Sequence, residues 1–252
     1  MKALIFAAGL GTRLKPLTDT MPKALVPIGG KPLLQLAIEK LKAAGFDEII
    51  INLHHFADQI IGFVESHNRF NIRIEFSDER EKLLDTGGGI KKASPFFNDN
   101  RPFLTHNVDI LSNINLRKLY EEIIQNQTKK QSHPPLATLV CSARKTSRYL
   151  LFDNENYLRG WINESTGEVK SPLSNFNPRH YRKLAFAGIQ ILDPAIFRYM
   201  TTFPDRFSII DFYLTICDKE IVTSYIPNNL RMIDVGKKNS LSEATQFLNR
   251  LS

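Results

Sequence analysis

Two short stretches near the amino terminus bring together residue types that handle anions. The run Ala7-Ala8-Gly9-Leu10-Gly11-Thr12-Arg13-Leu14-Lys15-Pro16-Leu17-Thr18 follows an apolar segment, Ala3 to Ala7. A glycine-rich turn after a buried strand exposes backbone N–H groups, which form an anion cradle. Ala8, Gly9, Leu10, Gly11 and Thr12 are the candidate cradle for a nucleotide's phosphates, and Arg13 adds a fork that can grip two phosphate oxygens. The second stretch, Met21-Pro22-Lys23-Ala24-Leu25-Val26-Pro27-Ile28, holds a lysine between two prolines. A lysine in a stiff loop is a good point charge for a phosphate in transfer. Two familiar phosphate motifs are absent. The dinucleotide fingerprint needs a third glycine where Leu14 stands, and a P-loop needs glycine at Leu25 and Ser or Thr at Pro32.

Three further places can carry chemistry. Leu84-Asp85-Thr86-Gly87-Gly88-Gly89-Ile90 lies between a strand and a helix, and its glycines permit a flat approach by a base or ribose. Asp109 closes the apolar run Thr105-His106-Asn107-Val108-Asp109, at a strand's carboxyl end, where open α/β sheets place ligands. A carboxylate there suits Mg²⁺ beside phosphate oxygens. Asp234, in Met232-Ile233-Asp234-Val235-Gly236, offers a second carboxylate. His54 and His55 are adjacent and cannot face one metal from a regular strand; they read as cap or surface residues. No Cys/His or Ser/His pair stands out as a nucleophile and its base.

These residues must be held by a regular scaffold. The first half alternates strand and helix: strands over 3–7, 48–53, 72–76, 102–109 and 136–143, and helices over 32–44, 57–67, from 88 and over 116–125. That rhythm predicts a mostly parallel sheet with helices on both faces. Asn126 to Pro135 reads as an exposed loop. Beyond Tyr149 strands come closer together (149–152, 157–162, 184–192), followed by helical patches near 195–200, 209–218 and 241–251. There is no internal repeat.

The chain has 252 residues, 42% hydrophobic and 23% charged. Cys141 and Cys217 sit in apolar runs and make neither a disulfide framework nor a zinc site. The net charge of +7 suits nucleic acid or phosphorylated small molecules equally. No stretch approaches the ~20 apolar residues of a membrane span, and the N-terminus reads as a strand rather than a signal peptide. A cytoplasmic protein is expected, with no nucleic-acid or membrane partner and an open oligomeric state.

Together the two amino-terminal stretches carry the pattern G-x-G-T-R-L-x-P-L-T followed by P-K-x-L, which resembles the sugar nucleotidylyltransferase family. Asp85-Thr86-Gly87-Gly88-Gly89 looks like the branch of N-acetylmuramate-1-phosphate uridylyltransferases and mannose-1-phosphate guanylyltransferases. The resemblance implies a Rossmann-like three-layer α/β sandwich of the nucleotide-diphospho-sugar transferase type. It implies one domain over 1–252, with a nucleotide-binding half (1–145) and a sugar-binding or lid half (146–252). The implied reaction moves a nucleoside monophosphate from a triphosphate, UTP or GTP, to a sugar 1-phosphate and releases pyrophosphate. Arg13 and Lys23 would be catalytic, Asp109 and Asp234 would share Mg²⁺, and Gly87 and Gly88 would close over the base. Glu164, after Gly160-Trp161-Ile162-Asn163, resembles the family's sugar-binding glutamate. Gly188, in Ala185-Phe186-Ala187-Gly188-Ile189, resembles its sugar-facing strand, and Asn107 neighbours both substrates. One departure is Val108, where the family has glycine; a β-branched side chain there is expected to narrow the triphosphate approach. Three rivals remain: a phosphocholine cytidylyltransferase-like enzyme that boxes a quaternary ammonium with Trp161, Tyr157 and Tyr181, a non-catalytic sugar-nucleotide sensor, and a glycosyltransferase, which would want Asp-x-Asp where Asp109-Ile110-Leu111 stands.

Overall fold

The computed structural model describes residues 1–129, 134–237 and 240–250. They form two compact units, each assembled from separate parts of the chain: Met1–Leu84, Thr105–Lys118 and Leu230–Ser252 in the first, Asp85–Leu104 and Leu119–Asn229 in the second. In chain order the elements are β1 (Lys2–Phe6), β2 (Pro27–Ile28), β3 (Lys31–Pro32), α1 (Leu33–Ala43), β4 (Glu48–Leu53), α2 (Ala57–Ser66), β5 (Arg73–Asp78), α3 (Asp85–Lys92), β6 (Phe103–Asn107), β7 (Ile110–Ser112) and α4 (Leu116–Lys129). Then come β8 (Ala137–Ser142), β9 (Arg148–Phe152), β10 (Leu158–Asn163), β11 (Glu168–Lys170), β12 (Arg182–Leu192), α5 (Phe197–Met200), α6 (Ile209–Ile216), β13 (Val222–Tyr225), β14 (Met232–Asp234) and α7 (Ser240–Asn249).

In the first unit, β1, β4 and β5 pair in parallel, with Phe6 opposite Asn52 and Leu53 opposite Asp78. Their central residues, Ala3, Leu4, Ile5, Ile49, Ile50, Ile51 and Ile74, have no exposed surface. Strands covered on both faces read as continuous apolar runs, which is why the sequence marks them so plainly. Helix α1 buries Leu33, Leu34, Ala37, Ile38 and Leu41, a stripe at helical spacing. Short β7 pairs antiparallel with β14, setting Asp234 opposite Ile110.

The second unit is built from antiparallel pairs: β8 with β12, β12 with β9, β9 with β10 and β10 with β11; β13 joins β8 in parallel. Gly188 has φ +73°, and the β8–β12 register shifts between Phe186 and Gln190, so the glycine makes a bulge. Phe97 and Phe103 stack at 3.7 Å, with Phe197 5.7 Å from Phe103. Tyr213 donates to Gln190 Oε1 at 2.9 Å inside the core.

One local expectation is corrected. The stretch from Asn126 does not leave the helix; α4 continues to Lys129, and no proline or glycine stands between those two residues to break it. The rest of that stretch from 130 to 133 lies outside the described residues. Cys141 and Cys217 are buried and unpaired, with burial pushing the Cys217 thiol up to about 11. No described helix is long and apolar enough to cross a membrane.

Candidate active site

The bend after β1 is held by a buried amide. Asn52 Oδ1 accepts from the N–H of Ala7 at 2.6 Å and of Ala8 at 3.1 Å. The Asn52 amide donates to Glu79 Oε1 at 2.8 Å, and Glu79 Oε2 accepts from the Leu84 N–H at 3.2 Å. Asn52 and Glu79 are 2% and 1% exposed. The Ala8 N–H is therefore engaged by Asn52 within the turn. The open part of the turn begins one residue later. Gly9 and Leu10 are exposed, and a Cβ on Gly9 would meet nothing within 4 Å.

Gly11 sits in the left-handed region at φ 64°, ψ 20° and opens a single turn, Thr12–Leu14. Its carbonyl accepts from the Leu14 N–H at 2.8 Å and the Thr18 hydroxyl at 2.9 Å. A second tight turn, Lys23–Leu25, starts after extended Pro22, with Leu25 N–H bonded to the Pro22 carbonyl at 2.9 Å. Lys23 is nine-tenths buried, and its ammonium donates to Asp109 Oδ2.

Pairing of β7 with β14 brings the two distant aspartates together. Asp234 lies opposite Ile110, and Val235 N–H bonds to the Asp109 carbonyl at 2.9 Å. Arg13 reaches the same place. A Cβ on Gly236 would fall 2.7 Å from Asp234 Oδ1 and 2.9 Å from Arg13 Nη2, so the carboxylate and the guanidinium both reach the same glycine. Arg13, Asp234, Gly236, Lys237, Ser240 and Glu243 line a cavity of about 300 Å³. Arg13, Lys23, Asp109 and Asp234 thus converge within the first unit.

Val108 departs from its expected effect. It is 4% exposed, and its N–H bonds to the Phe6 carbonyl at 3.2 Å. The side chain belongs to the core, so it does not line an open approach. Half-buried Asn107 ends β6, and its carbonyl accepts from His106 Nδ1 at 2.8 Å. That bond makes Nδ1 the protonated nitrogen and leaves buried Nε2 without a partner. Burial first, then the nearby Lys40 charge, lowers the His106 pKa to about 4. Lys40 bonds Ser112, and burial lowers its own pKa to about 8.

Gly87, Gly88, Glu164 and Gly188 belong to the second unit. The N–H groups of Gly87 and Gly88 both point to the Phe207 carbonyl, at 2.9 and 3.3 Å. A Cβ on Gly87 would lie 2.4 Å from the Phe207 ring. Packing against Phe207 therefore requires glycine at position 87. Glu164 is exposed and paired with Lys183 at 2.8 Å.

The β9–β10 register sets Leu150 opposite Trp161 and Arg148 opposite Asn163, so these four share one sheet face. With Arg144, Thr146, Lys170, Phe186 and the start of α6 they line a cavity of about 490 Å³. Sequence reasoning missed Arg148 and Asn163 as site candidates; the signal was the period-2 alternation of two strands whose register it could not fix. The three aromatic residues considered for a choline box have separate partners. Trp161 lies under Lys170, Tyr157 under Arg159, and Tyr181 stacks on Phe176. His54 bonds the Glu79 carbonyl and His55 is exposed, as expected of cap and surface residues.

An N-acetylmuramate alpha-1-phosphate uridylyltransferase of Neisseria meningitidis serogroup B is 40% identical over 121 residues, 48% of this chain and 52% of that protein. A mannose-1-phosphate guanyltransferase of Pichia angusta is 28% identical over 256 residues, 100% of this chain and 65% of that protein. This chain spans about half the length of the uridylyltransferases it matches. Among solved structures, HddC of Yersinia pseudotuberculosis, complexed with GMP-PN, gives a TM-score of 0.74 at 24% identity, over 98% of this chain and 99% of that one. UDP-glucose pyrophosphorylase complexed with UDP-glucose gives 0.75 at 18% identity, over 100% and 99%. These likenesses show the α/β nucleotide-diphospho-sugar transferase fold. Since residues 2–250 also match the family described as nucleotidyl transferase, the chain belongs to that family.

Proposed function

We propose that this protein transfers a nucleoside monophosphate from a nucleoside triphosphate to a sugar 1-phosphate, forming a nucleoside diphosphate sugar and pyrophosphate. The observation that carries this reading is the convergence of Arg13, Lys23, Asp109 and Asp234 beside the open Gly9–Leu10 turn. Family membership and the uridylyl and guanylyl relatives support it and favour UTP or GTP.

The acceptor's phosphate, largely dianionic above its second pKa of about 6, attacks the α-phosphorus. A new P–O bond forms there as the bond to the β-phosphate oxygen breaks. No general base is needed, so the protein's work is positioning and charge stabilisation. The Gly9, Leu10, Gly11 and Thr12 amides cradle the phosphates, Lys23 neutralises charge at the α-phosphorus, and Arg13 holds the departing pyrophosphate. Asp109 and Asp234 are the residues that would hold Mg²⁺, a hard cation for which one or two carboxylates suffice. When bound, the metal neutralises phosphate charge. The sugar is assigned to the Trp161 cavity of the second unit, where the indole offers a face for ring C–H groups and Asn163 an amide. Glu164 and Gly188 remain outer candidates for its hydroxyls, and Asn107 a neighbour of both substrates.

A grid of four nucleoside triphosphates against several sugar 1-phosphates, read by pyrophosphate release, tests the reaction. Lys23→Ala and Asp109→Ala should each lose about 10²–10³-fold in kcat with the fold retained by circular dichroism, and a chelator should abolish release until Mg²⁺ returns. Undiminished turnover in Asp109→Ala, with the same metal requirement, would refute the assignment.

A further inference from the structure

The cavity on the β9–β10 face carries more positive charge than its own acids use. Lys170 is satisfied: its ammonium lies 3.1 Å from Asp211 Oδ1, 3.6 Å from Glu168 Oε1 and 5.3 Å from the Trp161 ring centroid. Arg144 donates to the Phe186 carbonyl at 3.2 Å and makes no ion pair among the described residues. Arg148 makes no ion pair among the described residues, although it shares the face of Asn163 and Trp161. Asn163 is nine-tenths buried, and its Oδ1 is taken by the Ser165 N–H at 3.1 Å, so its amide N–H₂ is the group left for a ligand.

Arg144 and Arg148 are exposed, and a neutral sugar in this cavity would cover part of both guanidinium groups without giving them a partner, which costs some of their hydration. A carboxylate or phosphate would be gripped in bidentate fashion. The acceptor's own 1-phosphate is a poor occupant of that grip. Clamping the attacking oxygens stabilises the ground state as much as the transition state and gains nothing in the chemical step. We propose that Arg144 and Arg148 form an anion subsite that selects sugar 1-phosphates bearing a second anionic group on the ring. This rests on the reading that the protein is a sugar-1-phosphate nucleotidylyltransferase and extends it to the class of acceptor.

The test compares acceptors that differ by one carboxylate-bearing group: glucose 1-phosphate with glucuronic acid 1-phosphate, whose C6 is a carboxylate, and N-acetylglucosamine 1-phosphate with N-acetylmuramate 1-phosphate, which adds a 3-O-lactyl group. Each is assayed for kcat/KM by pyrophosphate release with the triphosphate that the protein uses. The anionic member of at least one pair should be favoured tenfold or more. In Arg148→Ala that ratio should fall toward one, while Arg148→Lys, which keeps the charge but loses the fork, should retain part of it. Thermal unfolding of both variants separates loss of recognition from loss of fold. Equal use of both members in both pairs would overturn the subsite and leave the transferase reading standing. So would an Arg148→Ala protein that loses both members of a pair equally, since the guanidinium would then hold the 1-phosphate. No release from any combination would overturn the subsite together with the reading beneath it.

Discussion

At Gly11 the backbone lies at φ 64°, a region that costs a residue with a Cβ about 1–2 kcal/mol. Space is short there as well: a Cβ would stand 2.8 Å from Thr18 Cγ2 and 3.1 Å from Lys23 Cβ. The Thr18 methyl can rotate aside, but the Lys23 Cβ is rooted in the turn that aims its ammonium at Asp109. Relief must therefore move the lysine. Gly11→Ala is expected to lose roughly 2 kcal/mol of stability, strain and overpacking together, and to lower kcat/KM by more than that destabilisation explains. Urea unfolding and pyrophosphate release on the same preparation measure the two effects. A variant with wild-type stability and turnover would mean the turn relaxes freely. Arg13, Lys23 and the glycines were legible in the sequence because all lie within about fifteen residues of one another. The reason for Gly87 was not legible: it is a phenylalanine 120 positions away.

Element scale shows the same division between local and distant information. Strand β4 spans the residues its apolar run marked, Glu48–Leu53, because burial on both faces writes a continuous signal. Strands β7 and β14 have three residues each and left no readable pattern, yet their pairing is what sets Asp109 beside Asp234. Three residues cannot declare a period, and a partner more than a hundred positions away leaves no trace in a single sequence. Asn52 belongs to the same class: its place within an apolar strand was visible, but its hold on the Ala7 and Ala8 amides and on Glu79 was not. Asn52→Leu keeps the branched outline in a somewhat larger side chain and removes every one of these bonds. Two buried N–H groups and one carboxylate oxygen would lose a partner, at about 1–3 kcal/mol for each buried group. The expected loss is roughly 3 kcal/mol or more by urea unfolding, with a raised KM for the nucleoside triphosphate, because the bend that starts the phosphate turn is no longer fixed. A loss below about 1 kcal/mol with an unchanged KM would show that the bend is held by the strand alone.

For the whole molecule, fold class was legible because it depends on the order of strong local signals, and the matched structures share that fold. The first unit draws its parts from both ends of the sequence, residues 1–84 and 230–252. The first unit also buries a group that titrates, with a consequence for stability. His106 has its pKa lowered from 6.5 to about 4 by burial and by the Lys40 charge. Between those values the unfolded chain binds a proton that the folded chain refuses, so stability must fall as pH drops from about 6.5 to 4. The full shift corresponds to roughly 3 kcal/mol. Lys40, lowered from 10.5 to about 8 by burial, has the same sign in another window: stability rises with pH between about 8 and 10.5. Carboxylates also lose stabilising charge in acid, so the histidine must be isolated by substitution. His106→Gln retains a donor for the Asn107 carbonyl and cannot titrate. Melting temperatures of both proteins from pH 4 to 7 should therefore diverge, the wild type falling more steeply below pH 6.5. Parallel curves would show that the buried imidazole finds a partner for its proton and that the acid lability lies elsewhere.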